Sequence, residues 1–439
     1  MDPKGGWREF GRYTSLNVLG MLGLSCYILA DTFFVSKGLG TNGLAALNLA
    51  IPVYSFIHGS GLMIGMGGGT GYAIAKSRQA YTAANRVFTG AVILAAVFAA
   101  AFVLAGVFLP GALAALFGAQ GIVSDMTTTY LRVILLFAPA FLLNNVLLCF
   151  VRNDGAPQLS MAAMIGGSVS NVVLDWVCIF PCGLGIFGAA FATGLAPIIS
   201  MLILLPYGIR RRGAFHLDRH RPRGQTVARI LSSGFPSLVT EMSSGIVMIA
   251  FNAILLRLEG NVGVAAYGVI ANLSLVVIAL YTGIAQGIQP LVSRAHGQGD
   301  ERRVRTTLRY ALLTLLGVSA VIYATVFLAA SPIAGLFNSE RDPLLQQLAT
   351  QGLRLYFIGC PFAGFSIVLS LYFPSVERPR PAQLLSLLRG FFVILPAAFL
   401  LSWIGGVRGV WCAFPVTEAL VAAVGLVLWA ALRGKTGKA

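Results

Sequence analysis

Long apolar segments, broken by short polar gaps, run almost the whole length of the chain. Twelve of them are about 20 residues or longer, enough to cross roughly 30 Å of hydrocarbon as α-helix. They lie near 13–38, 44–73, 87–109, 127–151, 159–182, 186–208, 230–256, 262–292, 307–330, 350–374, 382–404 and 408–432. The eighth is long enough to tilt or bend. The pattern predicts an all-α integral membrane protein of twelve transmembrane helices.

Composition strengthens that picture. Of 439 residues, 57% are hydrophobic and 10% charged, against about 25% charged in soluble proteins. So few charges cannot clothe a water-soluble particle, which argues against a soluble enzyme or a disordered chain. The net charge of +16 invites a nucleic-acid reading, but the bases sit in gaps between apolar segments, as in loops of a membrane protein. No nucleic-acid partner is expected.

With the N-terminus inside, one face collects every base except Lys37, Arg132, Arg257, Arg341, Arg354 and Arg408. Arg152 and Arg389 count among the loop bases on that face. An odd number of spans would destroy the asymmetry. Basic loops stay cytoplasmic, so both termini are expected inside a multi-pass protein of the plasma (inner) membrane. The N-terminal segment, with Lys4, Arg8 and Arg12 ahead of Tyr13, lacks a small-residue cleavage site and reads as the start of span 1.

The stretch 209–229 is the most basic and divides an N-lobe, 1–208 with spans 1–6, from a C-lobe, 230–439 with spans 7–12. The halves match at a shift of 220–222 residues. Leu116 and Phe117 answer Leu336 and Phe337; Leu131, Arg132 and Pro139 answer Leu353, Arg354 and Pro361; Pro157 answers Pro379; Gly185 and Gly188 answer Gly406 and Gly409. Six spans is an even number, so both halves enter the membrane the same way up. The expected plan is two six-helix lobes related by a pseudo-two-fold along the membrane normal, with substrate between them.

Four acids fall inside spans: Asp31, Asp175, Glu241 and Glu418. A carboxylate at mid-bilayer costs roughly 2.5–3.5 kcal/mol or more and should face a cavity or a partner. Asp31, Asp175 and Thr193 each lie seven residues, about 10 Å, from the outer end of their spans. Asn171 shares a helix face with Asp175. Two carboxylates, an amide and a hydroxyl at one depth suit Na⁺ or a proton, and the residues do not choose between them. Glu241 and Glu418 fall near the midplane and suit a cationic substrate.

Other features carry plainer readings. The run Gly65–Gly71 (GMGGGTG) lacks a following GK[ST] and marks close helix packing. His58 reads as a hydrogen-bonded packing histidine or a pH-sensitive group. Tyr27, Tyr54, Tyr267 and Phe365 are core or lipid-facing, or offer cation–π walls to a drug. The cysteines all fall in apolar stretches and read as small buried side chains. No hydrolase motif is present, so no enzyme activity and no cofactor is expected.

The run Leu29–Gly40 (LADTFFVSKGLG) with Leu44–Asn48 (LAALN) resembles the first-span region of the multidrug and toxic compound extrusion (MATE) family. Phe150–Pro157 (FVRNDGAP) and Asn171–Asp175 (NVVLD) resemble its fourth and fifth spans. The resemblance implies an antiporter that exports small organic cations and drugs in exchange for Na⁺ or H⁺. It places the family's N-lobe cation site on Asp31, Asn171, Asp175 and Thr193, with Tyr130 nearby. Glu241, Glu418, His58 and Tyr27 are assigned to a substrate cavity, and a monomer is expected. Glu241 fits a seventh-span glutamate of one subgroup, but Cys360–Gly364 lacks that subgroup's tenth-span acid, so its C-lobe ion site is expected to be absent. Residues 13–38 also lack the proline at which some members bend the first span. The alternative is a lipid-linked oligosaccharide flippase of the same broad superfamily, which would call for extra spans or a strongly cationic cavity.

Overall fold

Glycine decides where the long apolar stretches turn. The structure, a computed structural model, describes residues 3–209, 213–219, 223–338 and 341–436. Asp2, Arg210, Arg211, Arg212, Arg221, Glu340 and Lys438 from the charge assignment lie outside these. The helices are α1 (Pro3–Ser77), α2 (Tyr81–Phe108), α3 (Pro110–Leu116), α4 (Gly121–Leu136), α5 (Ala138–Asp154), α6 (Pro157–Ile179) and α7 (Gly185–Ile209). Then follow α8 (Gly224–Gly297), α9 (Glu301–Leu328), α10 (Ala330–Phe337), α11 (Pro343–Tyr356), α12 (Cys360–Ser375), α13 (Pro379–Leu387) and α14 (Ile394–Thr436).

Three of these are too long for one crossing. Each breaks at a glycine with positive φ: Gly40 (φ 65°, ψ −157°), Gly260 (φ 63°, ψ −148°) and Gly406 (φ 55°, ψ −136°). Only glycine enters that region without steric cost. Divided there, α1 and α8 supply two spans each. The bent pair α4 and α5 makes one span, and α11 runs through a single 3₁₀ turn into α12 as another. Twelve spans in two lobes result.

The repeat is written in the backbone. Gly40 pairs with Gly260 and Gly185 with Gly406 at the shift seen in the sequence. Among the described residues, the three non-glycine ones with positive φ, Gln79, Arg341 and Glu377, each stand where the other half has a positive-φ glycine: Gly299, Gly121 and Gly155. The same turns recur in both halves even where the glycine does not.

Small residues set how close the lobes come. A Cβ on Gly67 would lie 2.0 Å from the Ile230 carbonyl oxygen, and one on Gly234 only 1.8 Å from that of Met63. These four residues join spans 2 and 7. Spans 1 and 8 meet in the same way at Gly283, against Val18, and at Gly287, against Thr14. The glycine run 65–71 is therefore a packing device, as its composition predicts.

Charges close the same end. Glu9 pairs with Arg294 (2.9 Å) and Arg303; Glu377 pairs with Arg78 (2.8 Å) and lies 3.4 Å from His296. The inter-lobe contacts thus crowd toward the end that carries the basic loops. The described part of the middle loop is held to the N-lobe. Asp154 accepts from Tyr72 (2.5 Å), Tyr207 (2.6 Å) and the Ala214 amide (2.9 Å), and it also pairs with Lys76. The His216 and Asp218 amides donate to Asn85 and Thr89. Residues 214–218 are pinned to the N-lobe.

Candidate cation site and central cavity

Spans 1 and 5 run in the same direction, and their residues meet in step. Gly20 faces Met164, Gly23 faces Ile165 and Ser168, and Gly38 faces Ile179 and Phe180. Asp31 lies on the same stripe of α1, and the register brings it to Asp175 on α6. The two carboxyl groups are neighbours. Tyr130 on α4 faces both of them and Thr193 on α7. The five residues grouped from the sequence thus stand together.

All five are buried; Asn171 and Asp175 are 0% exposed. Asp31 Oδ1, both Asp175 oxygens and both ends of the Asn171 amide have no hydrogen-bond partner. An unsatisfied buried polar atom costs about 1–3 kcal/mol; the two carboxyl groups lie close enough to share a proton, while the Asn171 amide has no partner at either end. Thr193 donates its hydroxyl hydrogen to the Ala189 carbonyl at 3.0 Å, which leaves its lone pairs free to accept. The donor set is oxygen-rich and twofold anionic, suited to a hard monovalent cation or a proton. Carboxylates this close repel in low dielectric, and a positive charge between them relieves that repulsion.

A cavity between the lobes adjoins this cluster. Thr193 belongs to both, and Tyr27, one helical turn before Asp31, is a cavity wall. The Tyr27 and Tyr54 hydroxyls are 2.7 Å apart. The His58 ring stacks 5.9 Å from that of Tyr54, and its Nδ1 lies 3.3 Å from the Asn145 amide nitrogen. Glu241 enters from the C-lobe, its Cβ lying against Gly59. Tyr27, His58 and Glu241 thus share one chamber between the lobes. Tyr267 does not join them; it is stacked on Phe251 in the C-lobe core.

Two assignments need correction. Glu418 is not on the cavity wall. It is 2% exposed and accepts from Arg389 Nε at 2.5 Å. Arg389 is accordingly not a loop base; it sits in a π-turn, Leu388–Phe392, inside the C-lobe. A midplane carboxylate found its partner within its own lobe.

Arg152 was also placed with the loop bases, yet it is 2% exposed and lines the cavity. Its Nη1 donates to Asn17 Oδ1 and Gln286 Oε1, both at 2.8 Å, tying span 4 to spans 1 and 8. Its Nη2 reaches the Met66 sulfur at 3.1 Å. Beside it, Asn153 donates to Gln289, which donates in turn to Thr70. This polar belt across the lobes escaped the sequence reading. Its signal was the spacing of Asn145, Cys149 and Arg152, which share one helix face.

A family model described as MatE matches residues 18–177 and 236–400, most of both lobes. The chain belongs to the MatE family. The multidrug export protein MepA of Staphylococcus saprophyticus is 24% identical over 95% of this chain and 92% of its own length. Among solved structures, a MATE in complex with MaL6 has a TM-score of 0.92 at 25% identity, covering 99% of this chain and 97% of the other. An outward-facing multidrug resistance MATE family transporter has a TM-score of 0.90 at 26% identity, covering 98% and 96%. This MatE protein is a multi-pass membrane protein of the MATE transporter family, and the resemblance read from its first, fourth and fifth spans holds.

Proposed function

We propose that this MatE protein is a secondary antiporter that exports organic cations in exchange for Na⁺ or H⁺. The observation that carries the reading is the buried cluster of Asp31, Asp175 and Asn171, whose polar atoms find no partner outside the cluster, next to a cavity that shares Thr193. An ion entering the cluster neutralises the carboxylates and alters the wall that span 1 presents to the cavity. Cargo and ion then compete through one helix, and rocking of the lobes returns the emptied chamber to the other side. With the basic loops in the cytoplasm, a molecule zipped at its basic end faces outward. Glu241 attracts the cationic cargo, and Tyr27, Tyr54 and His58 give it aromatic faces.

The test is transport in proteoliposomes under separately imposed Na⁺ and pH gradients. Asp31→Asn and Asp175→Asn are each expected to abolish ion-driven export of a cationic dye while reconstituting at the wild-type level. The gradient that drives the wild type names the ion. Normal export by both variants refutes the proposal. Arg152 gives the flippase reading one cationic group, but Glu241 in the same chamber opposes it. The lipid-linked sugar should be moved by neither variant nor wild type.

A further inference from the structure

A second cavity lies outside the transport pathway, at the basic end of the C-lobe, between α9, α12 and α14. It is an open groove. Arg302, Arg305 and Arg309 occupy successive turns of one face of α9, and Arg378 faces them from the start of the eleventh span. Further along that face come Leu312, Leu313 and Leu316, with Tyr372 and Trp429 on the facing helices.

Three observations set this groove apart from an ordinary basic loop. Arg302, Arg305 and Arg309 are exposed, and none pairs with a carboxylate among the described residues, although Glu9, Asp154 and Glu377 at this same end are all paired with bases. Glu301, the acid at the rim, lies 3.7 Å from His296. Leu313 and Leu316 are 59% and 64% exposed, as befits a flank turned to lipid. From Arg302 to Arg309 is about 10 Å along the helix, and from Arg309 to Leu316 about another 10 Å. Positive charge at headgroup depth therefore passes directly into an apolar floor at acyl-chain depth. The placement of bases on one side of the membrane explains their number in loops; it does not explain their convergence over an apolar trough.

We propose that this groove is a binding site for an anionic phospholipid, its phosphate held by Arg302, Arg305, Arg309 and Arg378 and its chains laid along Leu312 and Leu316. Basic pockets between spans recognise such headgroups by charge, and guanidinium groups pair well with phosphate oxygens. His296, between this groove and Glu377, puts the lipid one residue away from the charge contacts that join the lobes.

The test uses the full-length transporter in non-ionic detergent, with retained lipid counted by native mass spectrometry. Dioleoylphosphatidylglycerol is expected to bind at least tenfold more tightly than dioleoylphosphatidylcholine. Arg302→Gln, Arg305→Gln and Arg309→Gln combined should weaken it about a hundredfold, from a factor of roughly five per arginine. The corresponding triple lysine variant should retain most binding, as should Arg12→Gln, a surface-charge control. Arg305→Gln alone serves should the triple variant fail to fold. Equal retention of both lipids, or unchanged phosphatidylglycerol binding in the glutamine variants, overturns the proposal. So does competition by glycerol phosphate, since that would mark a soluble-anion site.

Discussion

The close approach of spans 2 and 7 at Gly234 offers a direct test of what holds the basic end shut. In Gly234→Ala, the new Cβ would lie 1.8 Å from the Met63 carbonyl oxygen, where ordinary contact begins at 3.4 Å. Spans 2 and 7 must separate by about 1.6 Å, and the obstacle is backbone, which has no rotamer to yield. Overpacking of this kind costs about 1–3 kcal/mol. Only the state closed at the basic end bears it, so the population ratio should move about 5–150-fold toward the state open there. Spin labels at Ala80 and Ala228, both exposed at that end, would report it. Double electron–electron resonance in liposomes should show one short distance in the parent and a second, longer population in Gly234→Ala. Gly268→Ala, at a position with nothing within 4 Å, should leave the distribution unchanged. Superimposable distributions for Gly234→Ala and the parent would refute the claim that this contact sets the closed state.

Two further outcomes follow from buried and interfacial charge. Arg389→Leu strands Glu418, which is 2% exposed, and should lower stability by about 3–5 kcal/mol; thermal unfolding in detergent measures it, and Glu418→Gln with Arg389→Leu should recover much of the loss. Glu377 is partly buried, which works against its charge, but Arg78 and His296 outweigh this and hold its carboxyl below the ordinary glutamate range. Its contribution to the inter-lobe contact is therefore whole above the usual glutamate pKa and lost as pH falls through the lowered value. Acid titration of the Ala80–Ala228 distance should show that opening in the parent and not in Glu377→Gln.

The grouping of Asp31, Asp175 and Thr193 was legible because two kinds of information coincided. Buried carboxylates are rare, and helical rise turns position in a span into depth, so Asp31, Asp175 and Thr193 fell at one level before any fold was known. Arg152 and Arg389 went astray for the opposite reason. Counting bases by side assumes that each seeks water, and nothing local reveals that Asn17, Gln286 or Glu418 will be there to receive them. Glu418 was read as a cavity acid on the same local evidence.

The chain by itself determined its solvent, its twelve crossings, its twofold repeat and which acids lie within its spans, because all of these depend on hydrophobicity and helical rise along a single strand. Tertiary structure alone decided which buried charges are partnered and which are left open, where the lobes touch, and which bases gather over an apolar groove. Those are properties of side chains far apart in the chain, brought within hydrogen-bond range by helix register and by the glycines that let the backbones meet.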